Sequence, residues 1–172
     1  EFLLSNAVDE EDYAEARKEV LKLGVDPDSI PHVHPGARLR VDRLFLDANV
    51  LFSAAYRPGA GVSRLLQVGG ASLVTSAYAV EEARRNLPDE EQRIRLNELL
   101  KTVEVGEAMM LPPELRGDVD LPEKDWPVLS GAAAAGATHL ITGDVRHFGQ
   151  YFGERLVGIL AMRPADYLKT LG

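Results

Sequence analysis

Apolar positions along this chain change their spacing several times, and the changes divide it. Between residues 9 and 23, Tyr13, Ala16, Val20 and Leu23 recur at helical spacing, acids crowd the first turn, and Gly24 follows as a stop. The pattern predicts an amphipathic helix with one face to bury. Pro27, Pro31, Pro35 and Gly36 then break the chain into a turn-rich linker, which makes residue 39 a natural domain start. Beyond it, short runs built around apolar residues lie at 44–46, 72–75, 102–105, 139–142 and 156–160. Helix-like stretches near 62–69, 77–86, 90–100, 125–135 and 164–171 separate or follow them. Strands without polar alternation are buried on both faces, and strands separated by helices pair in parallel. The prediction is a three-layer α/β/α fold with a mainly parallel central sheet of about five strands. Residues 1–38 would form a helical extension and 39–172 the main domain.

Composition changes this picture in three ways. The chain has 172 residues, 45% of them apolar, enough to bury a core without staples. It has no cysteine, which excludes a disulfide framework and any thiolate zinc site, so a metal would sit on oxygen or imidazole. No apolar run approaches the roughly 18 residues of a membrane span, and the start lacks a basic-then-apolar signal pattern. A soluble, cytoplasmic protein is expected. The net charge of −8 argues at first against a polyanionic partner. Its distribution reverses that: residues 1–38 hold nine acids against four bases, leaving eighteen against fifteen for the rest. If four of the latter acids lie under metal ions, the remaining surface of 39–172 is nearly neutral and RNA is not excluded.

In parallel sheets, functional groups collect at the carboxyl ends of strands. Asp47 follows the first apolar run directly, with Asn49 two positions on; both could equally be helix caps. Thr142-Gly143-Asp144 ends the fourth run with a hydroxyl, a residue that lets backbone approach closely, and a second carboxylate, although a turn with a capping Asp has the same composition. Glu81 and Glu82 lie in the helix after the second run, where most glutamates are simply solvated. Asp125 precedes Trp126-Pro127, so it can cap the next helix and ligate at once. Oxygen-rich groups without cysteine or clustered histidine suit a hard cation, Mg²⁺ or Mn²⁺. Among the histidines, His32 and His34 alternate in the linker and read as solvated, His139 as a core residue, and His147 stands three residues after Asp144. Tyr13, Tyr56, Tyr78 and Trp126 could stack on bases or simply pack.

The run Leu46-Asp47-Ala48-Asn49-Val50-Leu51, the segment 76–87 carrying Glu82, and the segment 125–148 containing Thr142-Gly143-Asp144 together resemble the ordered motifs of PIN-domain nucleases. The resemblance covers about residues 43–168. It implies that Asp47, Glu82, Asp125 and Asp144 are the catalytic metal ligands, with Glu82 rather than Glu81 as the helical acid. Asn49 and Thr142 would hydrogen-bond ligands, water or phosphate. It further implies a Mg²⁺- or Mn²⁺-dependent endoribonuclease that leaves a 5′-phosphate and a 3′-hydroxyl. Asp118, Asp120 and Glu123 crowd the approach to the third acid, which makes Asp125 the position with most competitors.

Many small prokaryotic members of that family are VapC-like ribonuclease toxins, each neutralised by an antitoxin whose tail lies across the active site. Residues 9–35 resemble such a tail more than a nuclease segment; the alternative is an ordinary helix packed on the domain. The partners expected are therefore RNA, an antitoxin or the antitoxin-like segment in cis, and a second copy in a homodimer, with no membrane. Two other functions share parts of the pattern. A haloacid-dehalogenase-type phosphohydrolase also places an Asp after its first strand, but it uses a second Asp where this chain has Asn49. An inactive PIN-like module would bind RNA or a partner without cutting.

Overall fold

The computed structural model describes residues 41–172; the predicted helix at 9–23, the linker, Tyr13, His32 and His34 lie outside the described residues. Strand β1 (Asp42–Leu46) leads into helix α1 (Ala48–Tyr56) and, after a 3₁₀ helix at Gly61–Gln67, strand β2 (Ala71–Ser76). Helices α2 (Ala77–Asn86) and α3 (Glu90–Leu100) lead to strand β3 (Glu104–Gly106). A long loop with 3₁₀ turns at Pro113–Leu115 and Glu123–Asp125 precedes α4 (Trp126–Ala134) and β4 (His139–Ile141). The one-turn helix α5 (Val145–Phe148), strands β5 (Arg155–Leu156) and β6 (Ile159–Met162), and helix α6 (Pro164–Lys169) complete the chain.

Local chemistry sets these boundaries. The Ser76 hydroxyl accepts from Ala79 N at 3.2 Å and starts α2, while Asp89 and Gln92 form a capping box that starts α3. Gly136, at φ +63°, closes α4, with the Ala137 N–H reaching back to the Ala132 carbonyl at 3.0 Å. The run at 156–160 was expected to be one strand. Instead Val157 and Gly158, at φ +44° and +87°, make a tight turn within it, so it becomes the β5–β6 hairpin and the sheet has six strands. Two successive positive φ values match the twist of a hairpin turn and cannot be part of a strand. The stretch near 62–69 is the 3₁₀ helix, and α5 was not anticipated, its four residues being too short for a period to register.

The architecture is three-layer α/β/α, as expected. The sheet runs in the order β3-β2-β1-β4-β6-β5, parallel except for the β5–β6 pair. Alternate residues of the central strands feed two cores. Leu44, Leu46 and Ile141 face α1, α2, α3 and α6, whereas Phe45 and Leu140 face α4 and α5. Gly131 in α4 allows that second layer to sit close: a Cβ there would lie 3.0 Å from Phe45 Cζ and 3.2 Å from Ser76 Cβ. From β1 the chain moves outward through β2 and β3, then returns to β4 on the other side of β1. Strand order therefore reverses between β1 and β4, and in open parallel sheets a crevice opens at the carboxyl ends at that point. No described helix is long and apolar enough to cross a membrane.

Candidate active site

A cleft of about 520 Å³ opens there, and Asp47, Glu82, Asp125 and Asp144 all line it. They arrive from four segments: the end of β1, the middle of α2, the 3₁₀ turn before α4, and the link from β4 to α5. Asn49, Asn86 and Gly143 add polar lining, and Phe52, Val128 and Phe148 add apolar walls. Among the described residues, no Lys or Arg lines the cleft.

Asp47 is held by three donors. Its Oδ1 accepts from Ala48 N at 2.7 Å, and its Oδ2 accepts from Asn49 Nδ2 at 2.7 Å and Thr142 Oγ1 at 2.6 Å. Asn49 also accepts the Gly143 N–H at 2.7 Å, so one amide ties the end of β1 to the end of β4. A Cβ on Gly143 would come within 3.2 Å of that same Asn49 oxygen. Burial nevertheless pushes the Asp47 carboxyl up to about 6; the Thr142 and Ala48 hydrogen bonds pull the other way, and the nearby Glu82 charge adds to the rise.

Asp144 caps α5, its Oδ1 accepting from Arg146 N at 3.0 Å and His147 N at 3.1 Å. Its Oδ2 lies 2.7 Å from His147 Nδ1. Partial burial would raise this carboxyl, but the His147 ring and backbone bonds outweigh it and hold it below the usual range. Asp47 and Asp144 are thus caps and cleft residues at once.

Asp125 departs from expectation. It occupies the N-cap position of α4 but makes no capping bond, because the 3₁₀ turn gives it a helical backbone, φ −97° and ψ −13°, instead of the extended one a capping Asp needs. Its side chain faces the cleft, where Oδ2 is buried and receives no hydrogen bond. His147 Nδ1 stands 3.5 Å away, outside bonding distance.

Neighbouring candidates separate cleanly. Both glutamates are exposed, but Glu82 lines the cleft, whereas Glu81 is absent from its lining and pairs with Arg85 at 3.1 Å. Glu123 pairs with Arg116 at 2.9 Å, Asp118 lines a different pocket, and the Asp120 backbone holds the Tyr151 hydroxyl. Trp126 cannot stack on a base. Its ring is buried, its Nε1 donates to Leu121 O at 3.1 Å, and the Arg116 guanidinium covers it 4.6 Å from the ring centre. Tyr78 stays exposed near the acids: partial burial first, then the charges of Glu82, Asp125 and Asp47, hold its phenol above the usual range. Phe52, on the cleft wall, stacks on the exposed Tyr56 at 5.1 Å. Sequence reasoning singled out neither Phe52 nor Asn86 and left His147 without a role. Their signal was helical spacing from the acids: Asn86 is four residues after Glu82, Phe52 three after Asn49, and His147 three after Asp144.

No protein-family model matches the chain, and no curated protein matches it in sequence. By structure it is similar to VapBC2 from Rickettsia felis, solved bound to a DNA fragment from the VapBC2 promoter. The TM-score is 0.54 at 14% identity, covering 70% of this chain and 98% of that one. At that identity the likeness establishes the shared α/β fold alone.

Proposed function

We propose that this protein is a divalent-metal-dependent endoribonuclease of the PIN type, acting in the cytoplasm as the toxin of a toxin–antitoxin pair. The observation that carries this is four carboxylates from four separate segments converging in one cleft at the sheet's reversal point, with no Lys or Arg among the described lining residues to balance them. The donor set fits a hard dication. It is made of carboxylates, and the buried, unbonded Asp125 Oδ2 needs a cation, a proton or water to satisfy it. Asp47, Glu82, Asp125 and Asp144 would hold Mg²⁺ or Mn²⁺. Such an ion, when bound, neutralises a phosphodiester and makes water acidic enough to serve as nucleophile near neutral pH.

The chain's own residues supply the positioning. Ala48 N–H, Asn49 and Thr142 fix both oxygens of Asp47, and Asn49 spans to Gly143 so that the ends of β1 and β4 cannot drift apart. Phe52 on the cleft wall, Tyr56 stacked on it, and Tyr78 near the acids offer rings suited to unpaired bases of a single-stranded RNA. In a haloacid-dehalogenase-type mechanism Asp47 would be the attacking nucleophile; three hydrogen bonds on its two oxygens suit it to holding position instead.

Incubating the full chain and residues 39–172 separately with structured RNAs, with Mn²⁺, Mg²⁺ or chelator, tests the proposal. Cleavage should need the metal and vanish with chelator. Tight metal binding without cleavage would favour an inactive RNA-binding module, and a trapped phospho-aspartate would favour the phosphohydrolase.

We further propose that residues 1–38 restrain the domain in cis as an antitoxin-like segment, through the acidic, one-sided helix that the sequence predicts at 9–23 and the basic residues Arg17 and Arg38. Tethering gives such a segment an effective concentration of about millimolar. Residues 39–172 alone should then cut RNA markedly faster than the full chain at equal stability; equal rates would make the segment a structural helix.

A further inference from the structure

We propose that His147 is itself a metal ligand, so that the cation site combines an imidazole nitrogen with the Asp125 and Asp144 carboxylates and favours a first-row transition-metal dication over Mg²⁺. The inference rests on the metal-dependent reading above and adds a residue and a selectivity to it. Asp125, Asp144 and His147 each present a donor atom, all within 4.8 Å of one another. In an octahedral shell with metal–ligand bonds of about 2.1 Å, adjacent donors lie about 3 Å apart. His147 Nδ1 stands 2.7 Å from Asp144 Oδ2 and 3.5 Å from Asp125 Oδ2, separations that bracket that value.

The surroundings aim these atoms at a common point. Asp144 spends Oδ1 on the Arg146 and His147 backbone N–H groups, which leaves Oδ2 turned toward the ring. Asp125 Oδ2 is buried with no donor of its own. The His147 side chain is only 16% exposed. A counter-ion role would account for the 2.7 Å contact with Asp144, but at 3.5 Å it leaves the buried Asp125 oxygen without a hydrogen bond. Ligation through Nδ1 would use the neutral tautomer that carries its proton on Nε2, which leaves the Nδ1 lone pair for the cation. Imidazole is a softer donor than carboxylate or water, so its presence moves selectivity away from Mg²⁺ and toward transition metals.

Mn²⁺ titrated into the full chain and followed by electron paramagnetic resonance gives a direct test. Bound Mn²⁺ should show electron spin-echo modulation from a directly coordinated ¹⁴N, and His147→Gln should abolish it while His139→Gln keeps it. Calorimetric titrations of Mn²⁺ and Mg²⁺ should show Mn²⁺ preferred, with the preference shrinking by at least about tenfold in His147→Gln, since even groups that only support a ligand change affinity 10–100-fold. Bound Mn²⁺ without ¹⁴N modulation in the native protein overturns the ligand assignment and leaves the metal-dependent reading standing. Modulation that survives His147→Gln, or an unchanged metal preference, does the same. No Mn²⁺ binding at all overturns both. The native spectrum decides even if the variant fails to fold.

Discussion

Strands β1 and β4 carry an aspartate and a histidine near each of their ends, yet the two ends of the sheet are chemically opposite. At the amino end, Asp42 Oδ2 accepts the Tyr167 hydroxyl at 2.8 Å, and His139 lies edge-on to the Tyr167 ring with Nδ1 2.8 Å from Thr138 Oγ1. Basic groups balance that end: Arg43 reaches Glu104 at 2.8 Å, and Arg155 joins burial in holding His139 below its usual range, against the pull of Asp42. At the carboxyl end, four acids share a cleft without an Arg or Lys among its described lining residues, and one buried oxygen has no partner. Residue type does not separate a structural cluster from a candidate site; charge balance and hydrogen-bond saturation do.

The sharpest way to break this contrast is to neutralise one acid at each end. Asp144→Asn should lower metal-dependent RNA cleavage by at least about a thousandfold, because loss of mere supporting groups at metal sites already costs 10–100-fold. Asp42→Asn should leave cleavage unchanged. Glu82→Gln should be severe where Glu81→Gln is mild, since Glu81 meets only Arg85 on the surface. Equal losses at both ends, or the reverse order for the glutamates, would dissolve the distinction.

The next largest effect is on stability against pH in the metal-free protein. With its carboxyl near 6 when folded and near 3.8 when unfolded, Asp47 binds more protons in the folded state between those values. Stability therefore falls as pH rises from 4 to 6 and stays lower above, by on the order of 3 kcal/mol for this group. Asp144 has the opposite sign, its stabilisation being lost as pH falls below the usual carboxylate range. Urea unfolding in chelator at pH 4 and 7 should show a drop in the native chain that is flattened in Asp47→Asn. An identical drop in both would refute the assignment.

Smaller effects test the packing that holds the two ends apart. Gly131→Ala places a Cβ 3.0 Å from Phe45 Cζ, so α4 or the ring must shift. A loss of about 1–3 kcal/mol is expected, together with weaker metal binding because Asp125 precedes that helix. Unchanged affinity would show that Asp125 tolerates movement of α4. Tyr167→Phe removes the bond to Asp42 and should cost about 1 kcal/mol with no change in cleavage. Reduced cleavage would mean the amino end communicates with the cleft.

Much of the fold was legible because its causes are local. The α2 and α3 boundaries at 77–86 and 90–100 follow from caps and period, and the short apolar run ending at Asp47, followed by a helical stretch, reads as a strand covered on both faces. The hairpin at Val157-Gly158 was missed because valine rarely takes a positive φ, and Gly158 by itself marks a bulge as readily as a turn. In the cleft, Asp47 and Asp144 could be anticipated from strand ends. The choice of Glu82 over Glu81 came only from resemblance, since both residues lie on one helix and its orientation against the sheet selects between them.

The sequence alone determined the α/β class, the apolar strands, the caps, and a supply of acids at strand ends, all of which depend on neighbours within a few residues. Tertiary structure decided the rest. It set β4 beside β1, so that Asn49 meets Gly143 across 94 positions of sequence. It also gave Asp125 a backbone that forbids capping and turned its carboxylate into the cleft beside His147. Those outcomes depend on the three-dimensional crossing of segments far apart in the chain, where burial and the number of donors within reach determine what each carboxylate can do.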